Sequence, residues 1–454
     1  MPESRNAATM QIGHFIVSGK IPPAARERAT VAVCDTAGVL LAGVPEVATT
    51  LVRNTLIGES RGPCRVVGTS LRVSAEDAAL ANGVAAHAHD YDDMCFVSLA
   101  HPSCALVPAA VSTGELAHAS GADLLDAYIV GFELECRLGS VMNPRHYHER
   151  GWHCTSSIGT LGAAAAASRL LRLDADAAVH ALGIAASSAG GLKENLGSMV
   201  KPLHAGMAAR HGVMAARLAK AGFMSSAQAI EGPQGYLVAM DSQHPPSALV
   251  EAVADLGSRW ELLDTGITVK LYPSCAATHP PLDAILALKS RYGLSTAIID
   301  AIEVEVDSMT PRLLLYNRPA TALEAKFSMP FCAAAAIVFG PPSLETFEES
   351  RIRDPRIQSL LPAVTLRANP AFDTATPLSK AKVTVKLKDG KTFVEHADGA
   401  RGYPGRLTRE ELATKFIKCA RRVLTEEAAA KALRTVENVE SLFDIAELTE
   451  ALAK

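Results

Sequence analysis

Residues 82–108, NGVAAHAHDYDDMCFVSLAHPSCALVP, constrain this chain more than any other stretch. They place His87, His89, Asp90, Asp92, Asp93 and His101 within one helix and one loop, with apolar, helix-forming sequence on both sides. Ionisable groups in such surroundings are costly to bury unless they are paired or put to use. The loop is therefore expected to form the floor of a small-molecule active site.

The flanking sequence gives the frame. Pro22-Pro23 opens a helix over 22–41, with Gly43 read as lying just past its end. A short helix follows over 46–57, and 65–73 has β-type composition. Ser74 with Asp77 resembles a capping box for the helix that enters the central stretch. Ser103 is expected to cap a helix over 103–118, and further helices are expected over 124–142, 155–171, 175–188 and 204–221. Their small residues (Ala, Gly, Ser) allow close backbone approach and point to a compact bundle. No fixed-period repeat supports a solenoid.

The pattern changes after about Trp260. Residues 299–306 and 382–388 alternate as half-buried strands, with Val383, Val385 and Leu387 on one face. Asp389-Gly390 is a hairpin signal and 391–396 the return strand. Helical segments near 281–291 and 325–338 lie between, and the tail over 408–453 returns to helix. The fold class is therefore mainly α: a large all-helical domain built from 1–266 plus 401–454, and a smaller α+β lid domain over 267–400.

Composition excludes several functions. The chain of 454 residues has 20% charged residues and a formal net charge of -4, with no long Lys/Arg run, so it carries no footprint for nucleic acid or anionic membrane. Its nine cysteines include no CxxC spacing, which points to a reducing, cytoplasmic setting and offers no motif for a structural zinc or an iron–sulfur cluster. The N-terminus MPESRNAATMQIGHF lacks the apolar region of a signal peptide.

Several residues invite chemistry, each with an ordinary alternative. Asp90, Asp92 and Asp93 with His101 suit acid–base work or a metal, although an Asp cluster after a helix is commonly a solvated turn. A helix start beside His101 favours a bound carboxylate. His87 and His89, at i and i+2, point apart and read as structural. His153 sits in GWHCTSS before a helix; His146 and His148 read as solvated. Lys201 is the only cation between Glu194 and Ala209, which suggests a buried anionic partner, while His204 is expected in the core. Lys270, Tyr272, Cys275 and His279 lie in VKLYPSCAATH; Cys275 and His279 read either as a thiol–imidazole pair or as a buried Cys and a capping His. Tyr316 and Arg318 fall on a loop.

Taken together, AHAHDYDD, AHPS, GWHCTSSIGTLGAAAAA, SMVKPLHAG, KLYPSCAATH, AKFSMPF and the upstream YNRP resemble the MmgE/PrpD family. That family includes 2-methylcitrate dehydratase, cis-aconitate decarboxylase and iminodisuccinate epimerase. The resemblance covers most of the chain. It implies a helical domain plus an α+β lid with the site in the cleft between them, a homodimer, a small di- or tricarboxylate substrate, and no metal or organic cofactor. By motif it implies catalytic roles for Asp90, His101, His153 and Lys201. Substrate-binding roles fall to Lys270, Tyr316, Cys275, Asp93 and Met94. Met94 stands where many members of the family carry Thr; against the decarboxylase pattern, the loop from Asp90 to His101 is about one residue longer and Cys275 stands where that pattern has His.

The expected chemistry moves a proton, or loses CO₂, next to a carboxylate. Lys201 and Lys270 neutralise the developing charge, His101 acts as base and His153 as acid, and Asp90 orients a His. A lyase of the dehydratase or decarboxylase kind is the leading expectation. An isomerase acting on an iminodisuccinate-like compound needs the same residues without a leaving group. A metal-dependent hydrolase using Asp92, Asp93, His101 and His153, and a non-enzymatic helical scaffold, are the readings from other classes.

Overall fold

A computed structural model describes residues 8–373 and 379–454. The N-terminal stretch read for a signal peptide lies, through residue 7, outside the described residues. Two compact units result. The first comprises the chain up to Ala88, Asp92–Ile267 and Thr408–Lys454; the second comprises His89–Tyr91 and Thr268–Leu407. The chain is mainly α, with helices making up the first unit and an α+β arrangement in the second. Among the described residues, no single helix is long and apolar enough to cross a membrane.

The first unit is built on small residues. Its helices include Pro23–Gly43, Ala75–His87, Ser103–Ala117, Gly121–Met142, Gly159–Leu170, Ala175–Ser188 and Val200–Lys220. Ala75–His87 packs on Val200–Lys220 nearly backbone to backbone: a Cβ on Gly83 would stand 2.7 Å from the Cα of Gly206. Gly43 is the last residue of its helix, not the one just past it, and Val44 is the cap. Gly43 is required by its neighbour, because a Cβ there would come within 1.9 Å of the Ala85 carbonyl oxygen. Close approach, as much as capping, thus explains the glycines in these helices.

The cap at Ser74 forms as expected on one side, its hydroxyl accepting from the Asp77 N–H. The Asp77 carboxylate does not return to the Ser74 N–H. It accepts instead from the hydroxyls of Ser74 at 2.9 Å and Ser60 at 2.6 Å. Ser103 is not a cap. Pro102 already has helical angles, φ -68 and ψ -44, so Ser103 falls in the first turn and its hydroxyl turns to other partners. Lys201 and Pro202, expected ahead of their helix, lie in the first turn of Val200–Lys220, where a proline costs no hydrogen bond.

In the second unit four strands run in the order Val364–Ala368, Ile299–Val306, Ala381–Leu387, Thr392–Ala397. The first pair is parallel, with Ile302 opposite Val364. The other two pairs are antiparallel, and Ala381–Leu387 and Thr392–Ala397 form the hairpin signalled by Asp389-Gly390. Ile302, Val304, Val306, Val383 and Val385 share one core with His279–Tyr292 and Met329–Phe339.

Candidate active site

Two helices of the first unit, Ala75–His87 and Ser103–Ala117, bracket the central loop. A bridge between Cys95 and Ala100, whose Cys95 N–H donates to the Ala100 carbonyl at 3.0 Å, folds the loop back. That return brings His101 beside Asp92 and Asp93. His87 Nδ1 lies 2.8 Å from Asp92 Oδ2, and His101 Nδ1 lies 3.5 Å from the same oxygen. His101 Nδ1 is also 2.8 Å from the Asp93 backbone carbonyl, which only accepts, so Nδ1 carries the proton. The His101 backbone N–H donates to Thr155 Oγ1 at 3.0 Å. The residue is thus held at its backbone N–H and, on the ring, at Nδ1.

His153 enters from a different loop. Its N–H donates to the Gly191 carbonyl at 3.0 Å, and Lys193 N–H donates to the Gly151 carbonyl at 2.7 Å, so the 151–153 and 191–193 segments hold each other. The His153 ring stacks on His87 with centroids 5.9 Å apart and lies 6.5 Å from His101. Its Nδ1 is 3.1 Å from His204 Nδ1. Lys201 and His204 are three residues apart on one helix and share a face. Burial drives His153 well below the usual imidazole range, and the charges of His87, Lys201, His101 and His204 add to the effect. His204 is lowered to about 4, by burial first and then by His87 and Lys201. The cluster therefore has a surplus of positive potential when its rings are protonated, which a bound anion would relieve.

Access differs within the cluster. The His101 side chain is 15% exposed, whereas those of His87 and Asp92 are at 0%, so His101 is the ring best placed to meet a ligand. The ligand-capable atoms of His87, Asp92 and His101 fall within 4.8 Å of one another, a spacing that admits a cation. The His101 Nδ1 atom facing Asp92 is already engaged as a donor to the Asp93 carbonyl, and a metal there would have to displace that bond.

Asp93 is fully buried and faces inward. Its carboxylate accepts from the Ser103 hydroxyl and, at 3.3 Å, from the Ser103 N–H; Ser103 Oγ is in turn 2.8 Å from the hydroxyl of buried Tyr128. Burial holds Asp93 well above the usual carboxylate range, partly offset by the Ser103 hydrogen bonds. Met94, its neighbour, is half-buried.

The second unit places the other expected residues. Asp90 adopts a left-handed backbone, φ 52, and its carboxylate and carbonyl both accept from Lys270 Nζ, at 2.5 and 2.9 Å. Lys326 Nζ donates to the His89 carbonyl at 2.5 Å, and Tyr91 hydroxyl to the Leu271 carbonyl at 3.2 Å, so residues 89–91 are clasped here. Lys326 was not among the expected residues; its burial at 4% is the signal, and it is invisible in sequence. Cys275 is half-buried and its N–H donates to the Lys326 carbonyl. His279 Nε2 sits 3.4 Å from the Ser274 carbonyl and its ring packs on Tyr272, so it does not cap. Tyr316 is half-buried, its N–H donating to the Phe327 carbonyl at 3.4 Å, and Arg318 is exposed.

His87, read as structural, is fully buried and pairs with Asp92 inside the cluster. One histidine reading needs revision. His146, read as solvated, is fully buried, with Nδ1 donating to the Met240 carbonyl at 3.1 Å and Nε2 2.8 Å from the Ser157 hydroxyl.

Comparison with known proteins divides the chain near residue 270, and the second match runs on past Leu407 into the C-terminal helices of the first unit. The MmgE/PrpD N-terminal domain matches residues 11–249 and the MmgE/PrpD C-terminal domain residues 272–441. Cis-aconitate decarboxylase of Homo sapiens is 31% identical over 390 residues, covering 84% of this chain and 80% of that protein. The Mus musculus enzyme of the same name is 32% identical over 385 residues, covering 83% and 78%. Cis-aconitate decarboxylase of Aspergillus terreus is 28% identical over 475 residues, covering 99% and 96%.

Proposed function

The chain belongs to the MmgE/PrpD family, and from that premise we propose that it is a lyase acting on a small di- or tricarboxylate, with a cis-aconitate-like acid as the first candidate. The observation that carries the reading is the buried imidazole cluster. His87, His101, His153 and His204 converge with Lys201, and their mutual repulsion is among the causes that depress His153. A polyanionic substrate is the ligand favoured by a group that holds Lys201 and whose imidazoles take up protons as negative charge arrives.

Loss of CO₂ leaves the bonding electron pair on carbon, where an adjacent carboxylate delocalises it; a proton then quenches it. Dehydration instead removes a proton beside the carboxylate and expels hydroxide with a proton from an acid. Both need fixed positive charge at the carboxylate that takes up the electron pair and an imidazole that delivers a proton; dehydration needs a second imidazole to remove one. Lys201 supplies the charge. His101 supplies the base through Nε2, since Nδ1 is committed. His153 supplies the acid once a bound carboxylate raises its affinity for a proton. For Asp90, Lys270, Tyr316, Cys275 and Met94, a role with substrate rests on the family resemblance; Lys270 is the second proposed charge.

Proton NMR in D₂O with a chelator present tests this, using citrate, 2-methylcitrate, cis-aconitate and iminodisuccinate. A new olefinic product or lost CO₂ is the expected result. Deuterium entering the α-carbon with no new skeleton would establish the isomerase reading instead. Turnover that appears only when metal is restored would overturn both in favour of a metal-dependent hydrolase.

A further inference from the structure

We propose that Tyr128, Ser103 and Asp93 form a positioning device that fixes the tautomer and orientation of His101, and that none of the three side chains contacts substrate. The inference rests on the lyase reading for the task of His101, but its geometry is separable from that reading.

The device begins at a carbonyl. His101 Nδ1 donates to the Asp93 backbone oxygen at 2.8 Å, so the position of the Asp93 peptide decides which ring nitrogen holds the proton. The Asp93 side chain holds that peptide. It is fully buried, and its two oxygens are taken by the Ser103 N–H and the Ser103 hydroxyl. Ser103 sits in the first turn of the 15-residue helix Ser103–Ala117, so the carboxyl is anchored to the backbone of a buried helix. The second anchor is Tyr128, fully buried on Gly121–Met142, whose hydroxyl lies 2.8 Å from Ser103 Oγ. Two helices thus grip one carboxyl, and that carboxyl's own peptide grips the catalytic ring.

Burial also explains why these groups do not face a ligand. The charged and titratable neighbours acting on Asp93 are Asp35 and Asp92, beside Ser103; those acting on Tyr128 are Asp93, Glu135 and Cys95. The acidic groups among them, Asp35, Asp92 and Glu135, disfavour a second carboxylate beside Asp93 and Tyr128. The sequence motif that brings Asp93 next to Asp92 therefore serves two ends: Asp92 meets the rings of His87 and His101, while Asp93 turns away to hold the loop.

The test uses the full chain carrying ¹⁵N-labelled histidine. Long-range ¹H–¹⁵N spectra at pH 7 report the tautomer of each ring, and the His101 signals are assigned by their loss in His101→Gln. Wild type should show His101 protonated at Nδ1. Tyr128→Phe and Ser103→Ala should each shift it toward a mixture, and with an active substrate lower kcat by about 10- to 100-fold while KM stays within about twofold. Ser103→Thr, which keeps the hydroxyl, should recover most of the loss. A wild-type tautomer in both variants overturns the proposal, even where kcat has fallen, because the loss would then be structural. If no carboxylate in the panel is turned over by wild type, the lyase reading fails alone, and the spectra still decide the positioning. Should one variant not fold, the other carries the test.

Discussion

The Nδ1 atoms of His153 and His204 lie 3.1 Å apart, and only one of them can hold the proton between them. With His204 lowered to about 4 and His153 held well below the usual imidazole range, by burial first, the pair is neutral at pH 7.

The first prediction follows from that pair. In the ligand-free protein the ring signals of His153 and His204 should stay flat between pH 8 and pH 5, because His204 titrates near 4 and His153 below the usual range. Saturating tricarboxylate should bring one of them into titration above pH 5. A ring that titrates near 6.5 without ligand would show that the pair is not desolvated as described. His204→Gln, which keeps a hydrogen-bonding group but no shared proton, should lower kcat by about 10²-fold or more if the pair delivers a proton.

His146 supplies a second, independent pH effect. Burial lowers it to about 4, with the Met240 carbonyl bond opposing. Its folded value lies below the unfolded value of about 6.5, so between those values the unfolded state binds more protons and stability rises with pH. The contribution is full above about pH 6.5 and is lost as pH falls toward 4. Thermal melts of wild type and His146→Gln should therefore differ most at pH 7 and converge as pH falls to 4.5. A constant difference across that range would mean His146 does not titrate differently on folding.

These assignments show how unevenly the sequence discloses its structure. The alternation of Val383, Val385 and Leu387 before Asp389-Gly390 exposes a hairpin because one face is buried and a tight turn has its own chemistry. Val364–Ala368 escapes notice: it has five residues between Pro362 and Asn369, and most of its side chains are exposed. Helical spacing separates His87 from His89, and the two do part, His87 to Asp92 and His89 into the second unit. What the spacing omits is the left-handed turn at Asp90 that returns the chain, a backbone choice that Asp tolerates without announcing it. His146 shows the other blind spot, since a polar, irregular stretch of sequence carries a fully buried ring once Met240 and Ser157 satisfy it.

Packing yields the third prediction. Gly83→Ala places a methyl 2.7 Å from the Gly206 Cα, where the contact is backbone and cannot swing aside. The two helices must separate, at a cost of about 1–3 kcal/mol. Because Ala75–His87 ends at His87 and Val200–Lys220 begins beside Lys201, the separation should also raise KM for any carboxylate substrate. Urea melts together with steady-state kinetics check both; unchanged stability would show that the helices have room to spare.

The last prediction concerns Lys415 and Asp35, a buried pair 2.5 Å apart with side chains only 4% and 0% exposed. The charge of Asp35 also acts on Asp93, so the pair stands behind the central loop. Breaking a buried pair by removing one partner strands the other charge, a loss of about 3–5 kcal/mol. Lys415→Met and Asp35→Asn should therefore both be strongly destabilised, the first by the stranded Asp35 carboxylate and the second by the stranded Lys415 ammonium. The double variant Asp35→Asn/Lys415→Met should regain much of the loss of Lys415→Met, because no unpaired charge remains. Additive losses in the thermal melts of the single and double variants would show that the pair is not electrostatically coupled.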